Sequence, residues 1–194
     1  YQFYEKTVYS LLKKTIGIEN GNFFPTAGAA VPDEICEFVH SVGINMLVGY
    51  GLTESTATVS CFQNSGYEIG SVGTVMPDVE VKIGENNEIL LRGKTITKGY
   101  YKKAEATAEA IDKEGWFHTG DAGYLNGDCL YLTERIKDLF KTSNGKYISP
   151  QALETKLAID RYIDQIAIIA DQRKFVSALI VPMYGFVKDY AKEK

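Results

Sequence analysis

The run Ile44-Asn45-Met46-Leu47-Val48-Gly49-Tyr50-Gly51-Leu52-Thr53-Glu54-Ser55 limits what this chain can become more than any other stretch. Residues 44–48 are apolar and of strand length, so they read as a buried strand. Two glycines then flank an aromatic ring, and a hydroxyl, a carboxylate and a second hydroxyl follow. Gly49 and Gly51 permit positive φ, or a close backbone approach that a Cβ would hinder. Tyr50 can offer a flat face to a base, Thr53 can donate to a phosphate oxygen, and Glu54 can hold a hard cation that bridges phosphates. Such a set describes a nucleotide lying beyond the end of a strand. The plainer reading is a glycine-rich turn whose Thr-Glu-Ser caps the next element; the run taken whole favours the site.

At 194 residues the chain can hold one ordinary domain, or one domain and part of another. Apolar residues at 45% and charged residues at 24% make it globular rather than disordered. A net charge of −4 gives no electrostatic reason to expect nucleic acid, and no Lys/Arg-rich run marks a membrane patch. No apolar stretch approaches the ~20 residues of a bilayer span, and the beginning, Tyr1-Gln2-Phe3-Tyr4, is not a signal peptide. Without an initiator Met, the chain reads as a piece of something longer. Cys36, Cys61 and Cys129 are widely spaced and never form a CxxC pair, which argues for a reducing compartment and against a zinc site. His40 and His118 are the only histidines, too few for His-rich metal or Ser-His-Asp chemistry.

Phe3/Tyr4, Val8 and Leu11/Leu12 recur at helical spacing and stop before Gly17, which predicts an opening amphipathic helix. Residues 22–26 read as a short buried strand leading into Ala27-Gly28-Ala29-Ala30. That small-residue elbow serves either close approach to a flat ligand or tight helix–strand packing. Pro32 suits the first turn of a helix, with Asp33 and Glu34 at its positive end and Ile35, Phe38, Val39 and Val42 as its apolar stripe. His40 falls off the stripe and reads as a surface residue. Strand, helix and strand in succession make an α/β unit.

From Gly66 to Leu132 the texture changes, with shorter apolar runs and frequent glycine. Residues 79–83 and 88–92 alternate about Gly84-Glu85-Asn86-Asn87, and residues 124–125 and 129–132 flank Asn126-Gly127; both are hairpin signals. A helix at 104–111 lies between them. This half reads as an antiparallel barrel or sheet beside the α/β layer. Trp116 and Phe117 read as core anchors and His118 as structural. Asp121, after a glycine and ahead of a strand, can accept from both hydroxyls of a ribose, or simply bond its own turn backbone.

A third texture begins near Arg135, Lys137 and Lys141, three cations that form either a solvated linker or a set aimed at phosphates or a carboxylate. The loop Thr142-Ser143-Asn144-Gly145-Lys146 returns as Tyr147-Ile148, and Ser149 caps a helix that starts at Pro150 and carries Leu153 and Leu157. Apolar strands at 163–170 and 175–181 surround Asp171-Gln172-Arg173-Lys174, and an amphipathic turn with Phe186, Val187 and Tyr190 follows.

Taken in this order, Ala27-Gly28-Ala29-Ala30, Gly49-Tyr50-Gly51-Leu52-Thr53-Glu54, Gly115-Trp116-Phe117-His118-Thr119-Gly120-Asp121 and Glu134-Arg135-Ile136-Lys137-Asp138-Leu139-Phe140-Lys141 resemble the AMP-forming adenylate synthetases. That family includes acyl-CoA synthetases, firefly-type luciferases and the adenylation domains of peptide synthetases. The resemblance covers essentially the whole chain, and residues 141–151 look most like the long-chain fatty acyl-CoA synthetase branch. It implies an acetyl-CoA synthetase-like fold of α/β plus antiparallel β. Residues 1–64 would end an α/β subdomain, 65–134 form a β-barrel-like subdomain, and 135–194 carry a hinge and the first part of a small C-terminal lid domain.

The resemblance also implies roles. Gly28 and Ala29 line an adenine, and Gly49, Tyr50 and Gly51 close over it. Thr53 contacts the phosphoryl group and Glu54 holds Mg²⁺. Asp121, helped by Arg135, binds the ribose hydroxyls. Lys137 is a pivot, and Lys141 reaches the phosphate in one orientation of the small domain. The implied enzyme is a ligase that makes acyl-AMP from ATP and a fatty acid, then acyl-CoA from CoA. Two phosphate-gripping elements, a Ser/Thr/Gly-rich loop and a late lysine, are expected outside residues 1–194, so the isolated piece is expected to be inactive. The expected setting is cytoplasmic, with small-molecule substrates and no nucleic acid; peripheral attachment at the inner membrane face through the lipid substrate and a homodimer stay open. Two alternatives stand beside it: an aryl or amino acid passed to a carrier-protein thiol, and a catalytically dead nucleotide-binding scaffold. In every version with a nucleotide, the adenosine is expected to lie between the Tyr50 turn and Asp121.

Overall fold

The computed structural model describes residues 2–56, 58–62, 67–143, 145, 147–171 and 173–194, without the side chains of Gln2 and Glu5. Gly66, Asn144, Lys146 and Gln172, which figure in the expectations above, lie outside the described residues. The chain divides into two compact units, residues up to 119 with 123–132, and residues 120–122 with 133–194.

The first unit opens with α1 (Gln2–Tyr4), a π-helical stretch (Glu5–Tyr9) and α2 (Ser10–Thr15), the expected helix with a widened middle. It stops where predicted: Gly17 takes φ 77°, its N–H donates to Lys14 at 3.1 Å and that of Ile18 to Lys13 at 2.9 Å, closing the helix with a left-handed glycine. The apolar stripe is not covered within this unit, since Phe3 is 73% and Leu11 66% exposed.

β1 (Phe24–Thr26) is shorter than the predicted strand and only half-buried. α3 (Asp33–Ser41) follows, and β2 (Met46–Tyr50) returns parallel to β1, with Phe24 opposite Met46 and Thr26 opposite Val48. The predicted stripe of α3 holds at Val42 and at half-buried Val39 and is corrected at Ile35 and Phe38. Cys36 and, just past the helix, Val42 are buried, whereas Ile35 and Phe38 are exposed. Cys36 and His40 lie four apart and so share one face, and that face is the one turned inward. His40 is therefore not a surface residue: its Nε2 lies 2.9 Å from the Met46 carbonyl and its ring stacks on Tyr67 at 3.9 Å.

The antiparallel part comprises β3 (Ser60–Cys61), β4 (Thr74–Val75), β5 (Val79–Ile83), β6 (Glu88–Gly93), α4 (Ala104–Ala110), β7 (Phe117–Asn126) and β8 (Cys129–Arg135). The strands run β1-β2-β3-β4-β8-β7-β6-β5 in one sheet. The α/β and antiparallel parts are thus continuous, and among the described residues β1 and β5 are open edges, so the barrel alternative is corrected to a mixed open sheet. Alternation of side chains predicts strands but says nothing about closure. Val48, Tyr50, Val59, Ile89, Leu91, Phe117 and Leu130 pack together as its core.

Both predicted hairpins form. β5 and β6 pair from Val79 opposite Gly93 to Ile83 opposite Ile89, and the turn between them holds Asn86 and Asn87 at φ 54° and 59°, a region that Asn tolerates. In the second hairpin Asn126 still belongs to β7, and Gly127 (φ 58°) with Asp128 makes the turn. β7 is also longer than expected, so Asp121 sits inside a strand rather than in a turn ahead of one.

In the second unit β9 (Phe140–Lys141) and β10 (Tyr147–Ile148) make a small hairpin. α5 (Pro150–Leu157) starts as predicted, with Ser149 Oγ accepting from Ala152 N at 3.4 Å. β11 (Ile163–Ile169) and β12 (Ser177–Pro182) pair antiparallel, and the final turn is a full helix, α6 (Tyr184–Glu193). Glu154 on α5 accepts from Ile168 N at 2.7 Å, which ties that helix to β11.

Candidate functional site

Because β1 and β2 are parallel, they leave the sheet at the same end. The elbow Ala27-Gly28-Ala29-Ala30 and the loop after Tyr50 therefore both start from the carboxyl edge of this strand pair, where open α/β sheets carry their ligands. Gly28 takes φ 90° with nothing within 4 Å of a would-be Cβ, so its backbone, not space, requires glycine. Ala29 beside it is exposed. Gly49 is the opposite case. It lies in β2 opposite Cys61, and a Cβ there would sit 3.2 Å from the Ser60 carbonyl. Tyr50 extends β2 past the end of the apolar run and, at 7% exposed, is packed in the core.

Thr53, Glu54 and Ser55 form one 3-10 turn. Ser55 is buried; its Oγ accepts from Leu52 N at 2.9 Å and donates to Leu52 O at 3.0 Å, closing the turn on itself. Three further bonds fasten this turn to residues 95–100. Thr56 Oγ1 donates to Thr95 O at 2.6 Å, Thr97 N donates to Glu54 O at 2.7 Å, and the Tyr100 hydroxyl donates to Glu54 Oε1 at 2.8 Å. The bond to Glu54 raises the Tyr100 pKa above its ordinary value, with burial and the carboxylate charge adding to it. Thr53 is exposed.

No hydrogen bond or ion pair reaches Glu54 Oε2 among the described residues. A single hard carboxylate oxygen is the kind of donor Mg²⁺ accepts when water and substrate phosphates complete its shell. The residues present thus fit such an ion.

The second unit gathers Asp121, Arg135 and Lys137. Arg135 Nε lies 3.6 Å from Asp121 Oδ1 and 3.7 Å from Asp138 Oδ2, with the Asp121 side chain 14% and that of Arg135 51% exposed. These distances describe attraction between charges rather than a bidentate fork. The Lys137 stem packs over Gly120. Lys141 holds its Nζ 5.6 Å above the Tyr147 ring, its partner in the hairpin.

His118 plays the structural part expected of it, with Nδ1 2.9 Å from Glu88 Oε2. Trp116 is buried under Arg92, whose guanidinium carbon is 4.4 Å from the ring centre. Tyr100, whose hydroxyl bonds Glu54, is a contact that the sequence did not suggest. Its only local signal is a Gly-Tyr pair, and its partner lies 46 positions away.

A family model described as "AMP-binding enzyme" matches residues 3–101. The long-chain-fatty-acid–CoA ligase FadD15 of Mycobacterium bovis is 33% identical over 178 residues, which is 91% of this chain and 29% of that protein. The chloroplastic long-chain-fatty-acid–[acyl-carrier-protein] ligase AEE15 of Arabidopsis thaliana is 30% identical over 200 residues, 92% of this chain and 27% of that one. The solved o-succinylbenzoate CoA synthetase (MenE) of Bacillus subtilis in complex with its acyl-adenylate intermediate OSB-AMP superposes with a TM-score of 0.74 at 25% identity, covering 98% of this chain and 43% of that one. The chain spans less than a third of the length of these two curated relatives. Among the described residues no helix is long and apolar enough to cross a membrane.

Proposed function

The chain belongs to the AMP-binding enzyme family, and from that premise we propose that the full-length protein activates a long-chain fatty acid and passes it to CoA. In the first step a carboxylate oxygen attacks the α-phosphorus of ATP, and the bond to pyrophosphate breaks. In the second, the CoA thiol loses its proton and attacks the acyl carbon, and AMP leaves. The observation that carries this reading is the shared carboxyl edge of β1 and β2, which puts the Gly28-Ala29 elbow and the Tyr50–Glu54 loop at one end of the sheet.

Each residue then has a physical task. Gly28, Ala29, Gly49, Tyr50 and Gly51 supply close backbone and one ring edge for the adenine. Thr53 donates to the phosphoryl oxygens. Glu54 holds Mg²⁺, which when bound offsets negative charge on the phosphates. Asp121, oriented beside Arg135, accepts from the ribose hydroxyls. Lys137 marks the hinge of the small domain, and Lys141 brings a cation to the phosphate or carboxylate. The work is positioning and charge complementarity, the usual source of rate in phosphoryl chemistry. The same reading sets the protein in the cytoplasm, drawing its lipid substrate from the inner membrane face.

A carrier-protein thiol is the second reading for the acceptor, favoured by the 30% identity to AEE15 over 92% of this chain. A scaffold that only binds nucleotide is disfavoured by the retention of Thr53, Glu54, Asp121 and Lys141 together. The test is to give the full-length protein ATP, Mg²⁺ and acids of graded chain length, with CoA or an acyl carrier protein, and to identify thioesters by mass spectrometry. Long-chain acyl-CoA is the expected product. Acyl-carrier thioester alone, or aryl-CoA alone, would replace the reading.

A further inference from the structure

We propose that Tyr100 is the positioning residue for Glu54: its hydroxyl holds Oε1, so that Oε2 is the oxygen offered to a divalent cation. The inference rests on the reading of Glu54 as the Mg²⁺ ligand.

A glutamate on a short 3-10 turn has three rotors, and leaving them free until the cation arrives would subtract their entropy from binding. Here they are frozen when the protein folds, because the carboxylate is held at one oxygen and the turn beneath it is held by its backbone. Thr97 N binds the Glu54 carbonyl at 2.7 Å, and Thr56 Oγ1 binds the Thr95 carbonyl at 2.6 Å.

The tyrosine itself is fixed from the other side. Tyr100 N donates to Thr107 Oγ1 at 2.9 Å, Lys103 N donates to Tyr100 O at 3.1 Å, and Thr107 Oγ1 donates to Lys103 O at 2.8 Å, so the first turn of α4 grips the loop. Gly99, just before it, has φ 136°, and a Cβ there would meet Thr107 Cγ2 at 2.5 Å. The loop and helix therefore meet at a position that only glycine fits, and the ring projects from a backbone tied to α4.

The chemistry of the donor matters as much as its place. A lysine or arginine at this point would neutralise the carboxylate and repel a cation. A phenol orients the carboxylate and leaves its charge available. Such outer partners of metal ligands are known to govern affinity even though they never touch the ion.

The experiment uses the full-length protein with a non-hydrolysable ATP analogue and Mn²⁺ as the probe, its binding read by electron paramagnetic resonance. Tyr100→Phe keeps the ring and removes only the donor, and is expected to weaken Mn²⁺ binding about tenfold. In ATP–pyrophosphate exchange the same variant should need more Mg²⁺ for half-saturation, while the rate at saturating Mg²⁺ stays close to wild type. Thr107→Val, which loosens the backbone anchor without touching ring or carboxylate, should weaken Mn²⁺ in the same direction by less, and guards against a Tyr100→Phe protein that fails to fold. Glu54→Gln separates the two layers of the argument. If it weakens Mn²⁺ while Tyr100→Phe does not, the positioning role is overturned and the ligand role stands. If Glu54→Gln also leaves Mn²⁺ binding unchanged, both are overturned.

Discussion

The stem of Lys137 lies across Gly120: a Cβ built on that glycine would stand 2.8 Å from Lys137 Cε and 2.9 Å from Cδ. Gly120 also has φ 74°, and Asp121 follows it directly. Two separate demands thus fall on one residue. A lysine tail can move aside, but a left-handed backbone cannot be relieved so cheaply. Gly120→Ala should therefore lower stability by about 1–2 kcal/mol, the cost of that conformation for an L-residue. Adding Lys137→Ala removes the contact and leaves the strain, so the double variant should keep most of the loss. Denaturant midpoints of the three proteins check this; full recovery in the double variant would assign the effect to crowding instead.

Gly73 offers a harder case. A Cβ there would lie 2.2 Å from the Cys61 carbonyl carbon and 2.5 Å from Phe62 N, with φ 90°. Both obstacles are backbone, next to the short β3–β4 pairing that links the two halves of the sheet. Gly73→Ala is expected to cost about 3 kcal/mol, at the upper end for overpacking. A melting temperature equal to wild type would show that the strands can separate without penalty.

Asp112 supplies a pH signature. Its Oδ1 accepts from Trp116 N and from Glu114 N, each at 2.9 Å. The Trp116 N–H is the main cause of a pKa held below the ordinary 3.8, with burial opposing it and the Glu114 N–H assisting. A folded-state pKa below the unfolded one means stability that is present above the unfolded value and lost as pH falls through the folded one. Wild type should accordingly lose melting temperature more steeply below pH ~3.8 than Asp112→Asn, while the variant is the less stable of the two at neutral pH. Parallel melting curves from neutral to acid pH would refute the assignment.

Asp121→Asn in the full-length protein should weaken AMP binding by about 1.5–3 kcal/mol if its charge accepts from the ribose. Arg135→Ala should cost less, because its guanidinium is half-exposed and 3.6 Å from the carboxylate. Calorimetric titration with AMP reads both, and an unchanged affinity for Asp121→Asn removes that residue from the nucleotide site.

What could be read in advance follows from the range of the forces involved. The β5–β6 hairpin was legible because alternation and an Asn-Asn turn are local, and the start of α5 because Ser149 and Pro150 are a local cap. The inward face of α3 was not. Ile35 and Phe38 are more apolar than Cys36 and His40, yet the inward face is the one where Cys36 joins the core and His40 meets the Met46 carbonyl and the Tyr67 ring, all tertiary contacts. Sheet continuity depends on Thr74 pairing with Cys129, a contact that no local pattern announces. Among the proposed site residues, Thr53, Glu54 and Asp121 are legible as chemistry in the sequence, whereas the bond from the Tyr100 hydroxyl to Glu54 joins positions 46 apart, beyond any local pattern.

The central claim is that this chain carries part of an acid-dependent adenylating centre with Glu54 in it. ATP–pyrophosphate exchange by the full-length protein, with and without a long-chain fatty acid, tests that most directly. Exchange that requires the acid and Mg²⁺, and that collapses in Glu54→Gln while the protein stays folded, is the predicted result. Exchange unchanged in Glu54→Gln, or no acid-dependent exchange by the wild type, would contradict it.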